Sequence, residues 1–176
     1  MGNVCPQLEL RDVSYMELAL AEAQAAAARG EVPVGAVVIC GEQVVGRGSN
    51  CREERQRPLS HAELLAIEEA AESLRSWRLT ECEIYVTLEP CVMCVGAILQ
   101  ARIGRLVFGC LDAKAGAVES LYKLCEDERL NHRLPVRGGV LAGPCAKLLE
   151  GFFTELRTRK KQIRTAERWP SLVEGA

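Results

Sequence analysis

Two short motifs limit how this chain can fold: Ser60-His61-Ala62-Glu63 and Glu89-Pro90-Cys91-Val92-Met93-Cys94. Each opens a helical segment, and an apolar strand at residues 83–88 lies between them. A strand at residues 105–108 follows the second helix, and this β-α-β succession calls for parallel pairing in a sheet covered by helices. Open sheets of that kind carry their sites where helix starts gather beside strand ends. There His61, Cys91 and Cys94 would fill three corners of a zinc tetrahedron and leave the fourth for water, as hydrolytic zinc sites require and structural sites do not. Glu63 is near enough to His61 to reach that water without binding the metal, which frees it to move protons.

Neither motif says this alone. Cys-x-x-Cys serves redox dithiols, half of a structural zinc knuckle and iron–sulfur ligation. A knuckle needs a second cysteine pair at similar spacing, which the other seven cysteines do not supply. A histidine and an acid at a helix start are commonly no more than a capping arrangement. The joint pattern favours the catalytic metal site. Pro90 suits a helix entrance, Cys91 and Cys94 fall one turn apart on one face, and the positive helix end lowers their thiol pKa values.

The 176 residues suit one domain, and 48% hydrophobic content with 5% aromatic residues fits an alanine- and valine-rich α/β core. The domain is expected over residues 1–158, with a basic C-terminal tail at 159–176 that could be the end of the terminal helix. Residues 13–28 have helical spacing, with Asp12 or Ser14 as cap and Gly30 as stop. Residues 34–40 and 43–46 form a hairpin about Gly41-Glu42. A polar loop at 50–60 leads to a helix at 61–74. After the helix at 91–100 and the strand at 105–108 come a loop at 109–117, a short helix at 119–125, a fifth strand at 136–141, and a long helix after Gly143-Pro144. No apolar run spans a membrane and the first residues do not form a secretory signal, so a cytoplasmic protein without membrane partners is expected. Nine cysteines fit a reducing compartment. Cys5, Cys40, Cys51, Cys82, Cys110, Cys125 and Cys145 are read as small core or surface residues.

The net charge of −2 gives no global attraction to nucleic acid. Near the C-terminus, however, Arg157, Arg159, Lys160, Lys161, Arg164 and Arg168 face one acid, Glu167. This stretch could follow a phosphate backbone or form a solvated helix end.

The residues resemble the bacterial tRNA adenosine deaminases of the cytidine-deaminase-like superfamily. The resemblance covers Glu31-Val32-Pro33-Val34-Gly35-Ala36-Val37, the His61 motif, Tyr85-Val86-Thr87-Leu88-Glu89-Pro90-Cys91-Val92-Met93-Cys94, Arg102-Ile103-Gly104-Arg105, Phe108-Gly109, Asp112-Ala113-Lys114-Ala115-Gly116-Ala117 and Asn131-His132-Arg133. The paired motifs are also the general signature of zinc nucleobase deaminases. The resemblance implies a three-layer α/β/α fold with a five-stranded mixed sheet, one Zn2+ per subunit, and a homodimer that binds a tRNA anticodon stem-loop. The implied reaction converts the wobble adenosine to inosine with release of ammonia, with Glu63 as the proton shuttle. Departures occur at Leu59-Ser60, Cys110, Glu119 and Thr154-Glu155-Leu156.

The same resemblance nominates substrate-binding residues. Asn50 would read the purine edge, although an asparagine after Gly48-Ser49 also suits a turn. Asp112 and Lys114 would face RNA or simply be solvated, and Asn131, His132 and Arg133 would touch the anticodon loop. Phe153, with Phe152, would stack on a splayed base or anchor the terminal helix. Two other functions remain open: a zinc deaminase of free cytosine, cytidine or guanine, and an inactive zinc-stabilised RNA-binding subunit. The presence of Glu63 weighs against the second.

Overall fold

The computed structural model describes residues 6–168. Its elements run α1 (Pro6–Ala28), β1 (Gly35–Cys40), β2 (Gln43–Ser49), α2 (Arg52–Arg55), α3 (Ala62–Leu74), β3 (Cys82–Leu88), α4 (Val92–Gln100), β4 (Arg105–Cys110), a 3-10 turn (Leu124–Glu126), β5 (Val136–Arg137) and α5 (Ala142–Arg168). The sheet has the order β2-β1-β3-β4-β5. The β1 strand is antiparallel to β2 and β3, whereas β3, β4 and β5 are parallel, so the five-stranded sheet is mixed as expected.

Strand alternation produces the three layers. Ala36, Val38, Ile84, Val86, Leu106 and Phe108 point to one face and pack with Ala62, Ala66 and Ala70 of α3 and Val95 and Ile98 of α4. Val37, Ile39, Tyr85 and Val107 point to the other, against Met16 and Ala19 of α1 and Cys145 of α5. The α3 helix packs directly on the sheet, with alanine along its contact stripe and glycine at the β2 positions beneath it. A Cβ on Gly46 or Gly48 would overlap the backbone carbonyl of Ala66 or Ala62, respectively. These two glycines therefore set the height of the helix that begins beside His61.

Four local expectations are corrected. First, α1 starts before Asp12, which is no cap. Its fully buried carboxylate accepts bonds from the Tyr85 hydroxyl (2.8 Å), Arg105 (2.7 Å) and Arg137 (2.6 Å), joining α1 to three strands. Second, no α-helix forms at 119–125: the N–H groups of Leu121 and Leu124 go to the carbonyls of Gly116 and Ala117 instead of to a helical ladder, and only the 3-10 turn at Leu124–Glu126 results. Third, β5 stops at Arg137, where Gly138 and Gly139 follow and Gly139 takes φ +85°. Fourth, β4 runs through Gly109 and Cys110, and α5 already includes Gly143 and Pro144, the proline sitting in the first turn where its missing N–H costs nothing.

The end of α1 has a Schellman arrangement, in which Gly30 N–H donates to Ala27 and Glu31 N–H to Ala26, with Gly30 at φ +79°. Cys51, Cys82, Cys110, Cys125 and Cys145 are buried free thiols and Cys40 is half-buried. Burial pushes Cys125 and Cys145 up to about 12, which leaves them unreactive. Cys5 and residues 169–176 of the basic tail lie outside the described residues. No described helix is long and apolar enough to cross a membrane.

Candidate active site

The carboxyl ends of β3 and β4 and the amino end of the antiparallel β1 lie along one sheet edge, since Leu88 pairs with Cys110 and Ala36 with Val86. The starts of α3 and α4 meet there. His61 is the N-cap of α3 and Cys91 that of α4, both with extended backbone and neither using its side chain as a cap. The imidazole and the thiol are therefore free for another partner.

Cys91 Sγ lies 3.7 Å from Cys94 Sγ, and His61 Nδ1 lies 3.9 Å from Cys91 Sγ and 3.5 Å from Cys94 Sγ. At tetrahedral angles, zinc–sulfur bonds of about 2.3 Å and a zinc–nitrogen bond of about 2.1 Å give S···S near ~3.8 Å and S···N near ~3.6 Å. Donor set and spacing both fit that ion. These three side chains form a group able to hold a metal ion, and Glu63 does not belong to it.

Protonation follows from the packing. Hydrogen bonds from Cys94 and His61 hold the Cys91 thiol down to about 3, and the Cys91 contact raises His61. Cys94 is pushed up by its contact with Cys91 and by burial, so of the two thiols it holds its proton more tightly. A dication would draw off the second proton. Burial raises Glu63, partly opposed by its own backbone N–H and the neighbouring imidazole. A carboxylate with so little hydrogen-bond support is a ready proton acceptor.

A pocket of about 220 Å³ opens beside this group, lined by Val32, Val34, Asn50, Arg52, His61, Glu63, Leu88, Cys91, Asp112 and Ala115 among others. Asn50 is buried and tied to a residue distant in sequence. Its Nδ2 donates to buried Glu31 at 3.1 Å, which fixes the amide orientation and leaves Oδ1 without that partner. Glu31 also accepts the Glu54 N–H at 2.6 Å and so anchors α2. The Asp112 carboxylate accepts N–H bonds from Lys114 (2.9 Å) and Ala115 (3.2 Å), which folds the loop tip.

The remaining nominated residues sit elsewhere. Lys114 is exposed and does not line the pocket. Asn131, His132 and Arg133 line a separate open depression beyond the far end of α4, where His132 Nε2 is 2.9 Å from the Ile103 carbonyl and Asn131 accepts from Arg102. On α5, Phe153 is exposed and meets the half-buried Phe152 edge-on at 5.5 Å. Sequence reasoning assigned no role to Glu31, Arg52 or Glu89. Glu31 and Glu89 do carry a signal, since each is an acid set directly against a buried apolar strand or its approach.

The sequence pattern of the MafB19-like deaminases matches residues 11–157. The tRNA-specific adenosine deaminase of Bacillus subtilis (strain 168) is 45% identical over 154 residues, which cover 88% of this chain and 96% of the relative. The chain belongs to the family of tRNA-specific adenosine deaminases. The enzyme of that name from Streptococcus pyogenes serotype M1 is 45% identical over 147 residues, covering 84% of this chain and 86% of the relative. Among solved structures, one from a study of A-to-I editing by tRNA:A34 deaminases at the wobble position of transfer RNA superposes with a TM-score of 0.75 at 42% identity, covering 77% of this chain and 99% of that one. The tRNA-specific adenosine deaminase family thus shares the fold of this chain.

Proposed function

We propose that this protein hydrolyses adenosine to inosine at the wobble position of a tRNA anticodon, using one zinc ion per subunit. The observation that carries the proposal is the meeting of His61, Cys91 and Cys94 beside a buried carboxylate that stays outside the ligand group, at a pocket of about 220 Å³. A concave site of that kind takes a single flipped-out base rather than a duplex. Its relatives' names supply the substrate class.

When bound at this group, zinc supplies Lewis acidity that brings the pKa of water close to neutrality. Glu63 accepts a proton as water adds to C6 of the adenine, delivers it to N1, and later assists departure of the exocyclic nitrogen as ammonia. Asn50, held by Glu31, presents its carbonyl oxygen to the base edge. The loop wall at Asp112 and Ala115 closes the opposite side and limits water access. Phe153, Lys114, Asn131, His132, Arg133 and the basic end of α5 are assigned to the surrounding RNA, with the deaminase domain taken as residues 1–158. A homodimer in the cytoplasm completes the proposal. Exposed Leu59, Val92 and Leu111, which flank His61, Cys91 and Asp112 in sequence, support a second copy as the cover of this face.

The test offers an anticodon stem-loop with adenosine at the wobble position alongside free cytidine, cytosine and guanine, and measures ammonia release and bound zinc on one preparation. Inosine formation in the stem-loop is expected. Release from the free compounds alone would replace tRNA by a small substrate, and full zinc content with no turnover would leave a binding subunit.

A further inference from the structure

We propose that Glu89 is a positioning residue whose carboxylate hangs the loop at 112–120 over the base pocket and thereby sets the wall that faces the substrate. This deepens the deaminase assignment and rests on it. Glu89 follows the last residue of β3 and precedes Pro90 and Cys91, and only 2% of it is exposed. One oxygen, Oε1, accepts the N–H groups of Val118 (3.1 Å), Glu119 (2.7 Å) and Ser120 (2.9 Å). The other, Oε2, accepts the Asp112 N–H at 3.0 Å and the Ser120 hydroxyl.

A single side chain therefore holds both ends of a loop that contains no helix or regular strand. Its backbone neighbours reinforce the attachment: Ala117 N–H donates to the Pro90 carbonyl at 2.9 Å, and Gly116 forms a bridge with Cys91. A side chain at Gly116 would collide with the Glu89 carboxylate, so the loop is seated directly on it. Asp112 and Ala115, between the two attachment points, line the pocket with His61, Glu63 and Cys91. The metal-binding segment and the substrate-facing wall thus share one charged hub, and charge-assisted hydrogen bonds make that hub strong. Removing an acceptor strands buried donors and releases the part of the loop they serve.

The two oxygens can be tested separately. In Glu89→Gln the amide carbonyl can keep the three N–H donors at 118–120 and the Ser120 hydroxyl can turn to accept from the amide NH2, while that NH2 meets the Asp112 N–H donor against donor. Full-length protein with bound zinc is compared with the variant by hydrogen-exchange mass spectrometry and by kinetics on the wobble-adenosine stem-loop. Faster exchange in the peptide at 111–117 with little change at 118–121 is expected, together with full zinc content. The KM for the stem-loop should rise about tenfold with kcat held within about threefold. Unchanged exchange overturns the proposal, and so does a collapse of kcat at unchanged KM, which would put Glu89 in the chemistry itself. Should Glu89→Gln fail to fold, Ser120→Ala removes one hydroxyl only. Faster exchange at 118–121 with a KM increase of about threefold then supports the anchor, and exchange at the wild-type rate refutes it. A wild-type protein inactive on the stem-loop would overturn the substrate assignment instead, with exchange in the two variants still deciding the role of Glu89.

Discussion

Replacing Glu63 by glutamine separates proton transfer from everything else the site does. The change keeps side-chain volume at a position only 4% exposed, so α3 should stay in place, and it leaves intact His61, Cys91 and Cys94, the group able to hold a metal ion. What is lost is a carboxylate whose pKa is raised chiefly by burial. General acid–base catalysis by one positioned group contributes roughly 10²–10⁴-fold, and here the same group is asked to act at water, at N1 and at the departing nitrogen. The upper end is therefore expected: a kcat lower by about 10⁴-fold, or about 5 kcal/mol in the barrier. KM should move by less than about threefold, since the interaction is made in the transition state and not in the ground state. Inosine formation on the stem-loop, with zinc content and RNA affinity measured on the same preparation, provides the assay. A Glu63→Gln protein that retains zinc and works within about tenfold of wild type would refute the proton-shuttle argument.

Other consequences follow from the same geometry. Gly48→Val should push α3 off β2 through the Ala62 carbonyl, displacing His61 and Glu63 together, and should weaken zinc retention in competition with a chelator more than it lowers the unfolding temperature. Stripping the metal with a chelator should abolish turnover and speed amide exchange at the starts of α3 and α4, with both reversed by added zinc. Asp12→Ala leaves Arg105 and Arg137 facing a buried gap and should cost about 3–5 kcal/mol in denaturant unfolding. Burial alone would raise Asp12 and Glu83, but hydrogen bonds from the surrounding arginines and Tyr85 outweigh it and hold both below their ordinary values of 3.8 and 4.5. A lowered carboxylate pKa gives stability that is complete above the unfolded value and is lost as pH falls through the folded one, so acid unfolding should steepen below about pH 4. That dependence should be shallower in Asp12→Asn, as followed by circular dichroism.

What was legible in the sequence was local or strictly patterned. The helix starts at the two motifs, the hairpin at Gly41 and the β3-α4-β4 crossover depend on spacing along the chain, and they emerge at their expected places. The illegible parts depend on partners far away in sequence. Asp12 looks like a helix cap until Arg105 and Arg137, more than ninety residues later, are brought to it. Residues 119–125 have a plausible helical pattern, but the chain at 118–120 is tied to distant Glu89 and the N–H groups of Leu121 and Leu124 go to Gly116 and Ala117, so no helical ladder forms. Asn50 resembles a turn former because nothing in its neighbourhood announces that Glu31 will orient its amide.

Three buried glutamates surround the pocket, and what distinguishes them is the supply of donors. Glu31 is occupied by the Asn50 amide and the Glu54 N–H, and it stabilises the pocket wall at Asn50. Glu89 is occupied by four backbone N–H groups and a hydroxyl, which overcome its burial and hold it down to about 2, so it stays an anion and serves as an anchor. Glu63 has its own backbone N–H and the Cys94 thiol, and burial prevails. A carboxylate already saturated with donors gains little from another proton, whereas an undersupplied one accepts a proton readily and can return it. The same residue type therefore provides two structural anchors and, on the proposed mechanism, one proton carrier within a single site, and the donors that surround each distinguish them.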